Sequence, residues 1–167
     1  MVVGVDDQMI QEQIENRDLL EISSNGLKTD AETLASHIAL AKATKDYDLQ
    51  RVITFHGRVK GAKTFAEDHI KVVDWMRSSG HSVQDISTAH VSGEMNSAES
   101  NKRSNRLKNL SKDEKGILTN ARYLSEGVDV PTLDGIAFID PKQSQVDIIQ
   151  AVGREQYEKV KIRLLEQ

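Results

Sequence analysis

From residue 51 onward, short β-branched apolar runs alternate with longer stretches of helical periodicity, and this rhythm constrains the fold more than any other feature. The runs are Arg51-Val52-Ile53-Thr54-Phe55, Ile86 to Val91, Gly116-Ile117-Leu118-Thr119 and Ile136-Ala137-Phe138-Ile139. Their apolar residues run on rather than alternate, so each strand must be covered on both faces. That is the condition of a parallel sheet, whose crossover helices lie over it. Between the runs, Ala62, Phe65, His69, Val72, Val73 and Met76 share one helical face, with Gly80 as the stop. Asn96 with Glu99 can cap a second helix carrying Leu107 and Leu110, and Ser144-Gln145-Val146-Asp147 opens a last one with Ile148, Ile149 and Val152. The expected fold is a doubly wound α/β domain with helices on both faces of the sheet.

The first 50 residues read as helical instead. Asp6 or Asp7 can cap a helix with Met9, Ile10 and Ile14. Thr29-Asp30-Ala31-Glu32 reads as a capping box opening a second, whose apolar positions are Ala31, Leu34, Ala35, Ile38 and Ala41, and Ser23-Ser24-Asn25-Gly26 separates the two. The expected organisation is a helical appendage over 1–48, the α/β domain over 49–154 and a helical tail over 155–167. With 38% hydrophobic and 29% charged residues the chain has globular proportions, and its 167 residues suit one domain. No cysteine is present, which excludes disulfides, Cys-zinc sites and thiol chemistry. The five histidines show no metal-ligand spacing, so no metal site is expected. No apolar run approaches the roughly 18 residues of a membrane span, and the start lacks a basic-then-apolar leader, so a cytoplasmic location without membrane contact is expected.

Charge is unevenly spread. Residues 1–50 carry 10 acids against 4 bases, the remainder 16 against 18. Lys102, Arg103, Arg106, Lys108, Lys112 and Lys115 face only Asp113 and Glu114 within residues 101–115. Such a stretch can meet phosphates despite a net charge of −4, since screening confines the field to about 10 Å; a solvated helix face has the same composition. In open parallel sheets ligands sit at the carboxyl ends of strands. That points to His56-Gly57-Arg58, Ser92-Gly93-Glu94, the stretch from Asn120 to Pro131, and Asp140-Pro141. His56 and His90 lie near strand ends, within reach of a ligand there.

Three blocks then appear in order. Val52-Ile53-Thr54-Phe55-His56-Gly57 is the first; Thr119-Asn120-Ala121-Arg122 followed by Ser125-Glu126-Gly127-Val128-Asp129-Val130-Pro131 is the second; Gln150-Ala151-Val152-Gly153-Arg154 is the third. Together they resemble the fourth, fifth and sixth motifs of the C-terminal RecA-like lobe of superfamily-two helicases and translocases, over about residues 50–154. The wording is most similar to helicase segments of type I-like restriction enzymes. The resemblance implies a RecA-like lobe contributing half of an ATP cleft and half of a nucleic-acid track. It implies nucleotide contacts from Gly127, Asp129, Gln150 and Arg154, with Arg154 as the catalytic arginine finger on the γ-phosphate. It also implies nucleic-acid contacts from His56, Gly57, Arg58, Ser92, Gly93, Thr119, Asn120 and Arg122, with Lys102, Arg103 and Arg106 of the basic helix beside them. Gln150 and Arg154 stand four apart, on one helical face.

The 167 residues contain no Gly-x-x-x-x-Gly-Lys-[Ser/Thr] loop and no acidic box after a strand. In the resembled family those elements belong to the N-terminal lobe, which holds ATP and Mg²⁺. The expected partners are therefore that lobe and DNA, with RNA as the alternative, and the chain alone is expected to be inactive. One position departs from the family's Gln-x-x-Gly-Arg-x-x-Arg pattern: Tyr157 stands at the last place, and a phenol cannot act as a cation. The alternative is a degenerate module that binds nucleic acid or protein without hydrolysis.

Overall fold

A computed structural model describes residues 19–22, 27–121 and 133–139. Strands β1 (Leu19–Ile22) and β2 (Leu27–Asp30) come first, followed by α1 (Ala31–Asp46) and β3 (Arg51–Phe55). Then come α2 (Val59–Ser78), β4 (Ser87–Ser92), α3 (Ser97–Lys108), β5 (Gly116–Ala121) and β6 (Gly135–Phe138). The last four strands form one sheet in the order β4-β5-β3-β6, every pair parallel. Ile53 stands level with Leu118 on one side and Ile136 on the other.

The chain crosses from β3 over β5 to β4 through α2, then returns one place to β5 through α3. Right-handed crossovers made in opposite directions put their helices on opposite faces. The core divides accordingly. Ile53, Phe55, Val91, Leu118 and Ile136 pack with Leu107 of α3. Val52 and Ile117 pack with Phe65 of α2, together with Leu40 and Leu49. Central β5 is buried along its whole length, whereas β4, at an edge among the described residues, is half exposed over its first four residues. The doubly wound parallel sheet expected from the continuous apolar runs is thus the fold observed.

The stretch before residue 31 differs from expectation. Leu19–Ile22 and Leu27–Asp30 pair as an antiparallel hairpin, Leu19 opposite Asp30 and Ile22 opposite Leu27. Leu27 and Thr29 are both buried, a period of two over four residues, which is too short for a helical period to compete. The cap of α1 is likewise Asp30 rather than Thr29: its carboxylate accepts from the Thr33 backbone N–H and the Thr33 hydroxyl, both at 2.8 Å. Thr29 is held extended in β2, and Glu32 is exposed. α1 itself forms as expected, and Leu27, Leu34, Ile38 and Ala41 bury against Val72, Val73 and Met76 of α2. The helix read near residues 6–14, the separator at 23–26, the helix opening at Ser144 and the tail from 155 lie outside the described residues. No helix among the described residues is long and apolar enough to cross a membrane.

Candidate functional site

Because the four strands are parallel, their carboxyl ends share one rim. Ladder bonds continue past the strands and fix its order: Gly93 N–H donates to Ala121 O (3.3 Å), His56 N–H to Asn120 O (2.9 Å) and Ile139 N–H to Phe55 O (3.1 Å). The opposite end is pinned by Asp134, whose carboxylate accepts from Arg51 N–H (2.8 Å) and Gln50 N–H (3.1 Å). Arg51 in turn donates to Leu107 O and Leu110 O, at the C-terminal end of α3. The rim is therefore presented by a braced sheet.

Within the rim, side chains divide into anchors and exposed groups. His56 is buried, with its Nε2 2.9 Å from Thr54 Oγ1 and its ring tilted against Phe65 at 5.0 Å. Thr119 is fully buried, and its hydroxyl donates to Ala62 O at 2.7 Å. Thr88 does the same to Ala66 O at 2.6 Å, so two strands are bolted to α2 at carbonyls one turn apart. Ser92 and Asn120 are buried, and Ser92 O accepts from Met95 N–H in the turn after β4. Gly57 is half-buried, while Arg58, Gly93 and Glu94 are exposed. Of the strand-end residues singled out in the sequence, Arg58, Gly93 and Glu94 thus offer surface; His56, Ser92, Thr119 and Asn120 shape the rim from beneath.

The basic helix is sorted in the same way. Asn96 caps α3 as expected, its Oδ1 accepting from Glu99 N–H at 2.8 Å. Lys102 and Arg106 are exposed. Arg103 instead folds over the outer edge of β4: it donates to His90 O (2.9 Å), lies 3.1 Å from His90 Nδ1 and pairs with Glu99 (2.9 Å). Its guanidinium occupies an edge carbonyl that a foreign strand would otherwise engage. Burial, then Arg103 and Lys63, hold the His90 imidazole below its ordinary pKa, with Glu67 opposing. The Arg103 hydrogen bond, ahead of its charge, likewise keeps the Glu99 carboxyl below the usual range. Arg106 is not brought to the rim. It lines a cleft of about 330 Å³ at the amino end of the sheet, with Asp74, Arg77, Asp85 and Glu114.

Sequence reading passed over Lys60 and Lys63. Both are exposed in the first turns of α2, beside Arg58, and that helix has no acidic residue in its first turn. A helix N-terminus without a compensating carboxylate favours anions. The missed signal was Arg58-Val59-Lys60-Gly61-Ala62-Lys63, three cations within six residues of a strand-end glycine. Arg122, Gly127, Asp129, Gln150, Arg154 and Tyr157 lie outside the described residues. Among the described residues no group of three or more His, Asp or Glu side chains could hold a metal ion.

The helicase conserved C-terminal domain matches residues 34–155. Among solved structures, the ATP-dependent Type ISP restriction-modification enzyme LlaBIII bound to DNA is similar at 30% identity, with a TM-score of 0.65 over 87% of this chain and 10% of that one. The helicase domain of Pyrococcus furiosus Hef shares the fold at 19% identity, with a TM-score of 0.50 over 77% of this chain and 24% of that one. This chain thus spans about a tenth of the LlaBIII chain and a quarter of the Hef chain. No curated protein matches. A parallel sheet of this winding, with four strands among the described residues, and a domain match covering most of the sequence place the chain in the helicase conserved C-terminal domain family.

Proposed function

We propose that the chain is the second motor lobe of an ATP-dependent DNA helicase or translocase. The observation that carries this is the rim itself: a braced carboxyl edge with Arg58, Lys60 and Lys63 exposed at the uncompensated start of α2, and Lys102 exposed on α3. The similarity to an ATP-dependent enzyme bound to DNA supports the same direction. DNA phosphates would run along the rim, held by those cations and by the main-chain N–H of Gly57. Positioning of this kind is sequence-independent and salt-sensitive.

ATP and Mg²⁺ would sit mainly on an N-terminal lobe, and this chain would close the cleft from the other side. Asp129 would accept from ribose hydroxyls, Gly127 would let the backbone approach the nucleotide, and Gln150 would stand beside Arg154. Arg154 would stabilise charge developing on the γ-phosphate, an effect of roughly 10³-fold or more in rate. An interaction realised mainly in the transition state adds little to ground-state binding. With the N-terminal lobe present, Arg154→Ala should therefore cut turnover far more than nucleotide affinity. Asp129→Ala should weaken nucleotide binding more than turnover. A non-hydrolysing binding module is the second reading, favoured by Tyr157 at the place of the last family arginine. Wild-type turnover in an Arg154→Ala two-lobe protein would remove the finger assignment, and absence of turnover in the wild-type pair would favour the second reading.

A further inference from the structure

Behind the rim, imidazole and phenyl rings are stacked where α1, α2 and the end of β3 meet. His37 of α1 lies flat on Phe65 of α2, centroids 3.8 Å apart at 16°. His69, one turn further along α2, stands 5.2 Å from His37 and 5.9 Å from Phe65, and His56 tilts against Phe65 from the end of β3. The Nδ1 atoms of His37 and His69 are 2.9 Å apart, a hydrogen bond linking α1 to α2. Both rings are fully buried, and among the described residues neither Nε2 has a hydrogen-bond partner.

This geometry fixes the proton inventory. One Nδ1 must carry a proton and the other must be bare, so the accepting ring carries its proton on Nε2. The neutral pair thus holds two protons on four nitrogens. A third proton can go only to the donating ring's Nε2, creating a buried cation whose new N–H has no acceptor. A fourth would place two N–H groups nose to nose at 2.9 Å and abolish the bond. The charged or titratable groups facing the pair from α1, α2 and β3 are the two imidazoles themselves and that of His56, and no carboxylate acts on either ring among the described residues.

We infer that the neutral His37–His69 pair is an acid-labile latch, holding α1 on α2 while two protons are shared among its four ring nitrogens and releasing α1 when more are bound.

The sign follows from burial. Burial first, then His69 and His56, lower the His37 pKa to about 2, and burial lowers that of His69 to about 4. In the released form both rings return toward the ordinary imidazole value of about 6.5 and bind more protons than in the docked form. Docking is therefore at full strength above about pH 6.5 and weakens as pH falls toward 4. Uptake of two protons makes that decline up to about 100-fold per pH unit.

Two measurements on the full chain test this. Imidazole ¹⁵N spectra should show both rings neutral at pH 7, one as the Nδ1–H tautomer and the other as Nε2–H. Amide hydrogen exchange, corrected for its intrinsic pH dependence, should show opening of α1 rising by at least 10-fold per pH unit between 6 and 5. His37→Phe with His69→Leu should flatten that dependence. If the double variant does not fold, the wild-type spectra and exchange decide alone. Either ring charged at pH 7, or α1 opening equally at pH 7 and pH 5, overturns the latch.

Discussion

Lys102 and Arg58 are exposed, whereas Arg103 is engaged by His90 and Glu99, and this difference yields a sharp prediction. Each phosphate neutralised on duplex DNA contributes about 0.9 to the slope of log K against log salt. Removing two phosphate contacts with Arg58→Ala and Lys102→Ala should flatten that slope by about 1.8. Over a fourfold rise, from about 50 to 200 mM, wild type should then lose roughly 12-fold more affinity than the double variant. Arg103→Ala should leave the slope close to wild type, because its guanidinium is already committed to the β4 edge and a carboxylate. Fluorescence anisotropy of a labelled duplex across salt concentrations measures this, with far-ultraviolet circular dichroism confirming that each variant is folded. Two results would refute the reasoning: binding insensitive to salt, or an Arg103→Ala slope as flat as that of the double variant.

Stability offers two further tests. Leu118 is buried in central β5 against Ile53 and Leu107, so Leu118→Ala should cost about 3 kcal/mol in urea unfolding, and a cost under about 1 kcal/mol would contradict the packing described. At Gly116 a Cβ would stand 2.9 Å from Leu110 Cδ1 and 3.0 Å from Leu107 Cδ1, so Gly116→Ala should destabilise by about 1 kcal/mol as those methyls give way.

Local signals in the sequence carried much of the fold. Arg51–Phe55 is a strand over the residues read as one, Asn96 caps its helix, and Gly80, at φ 86°, follows the end of α2. Each of these depends on neighbours a few residues away. The β1–β2 hairpin was missed because four-residue strands carry two periods at most, and Asp30 displaced Thr29 as the cap because β2 keeps Thr29 extended. The rim itself was legible, since parallel strands must end together, but the division of its residues was not. Whether Thr119 faces solvent depends on Ala62 O, 57 residues away, and the His37–His69 bond spans 32 residues. Arg103 reads as one cation among several until the fold brings the β4 edge against it. Burial of a polar side chain is decided by such distant partners, which spacing alone does not report.

Phosphate release by the isolated chain, with saturating Mg²⁺-ATP and DNA, tests the half-motor most directly. With no phosphate loop or acidic box in its 167 residues, the chain should give no turnover above buffer. Turnover that Arg154→Ala abolishes would contradict it, because the chain would then be holding and hydrolysing the nucleotide without a second lobe.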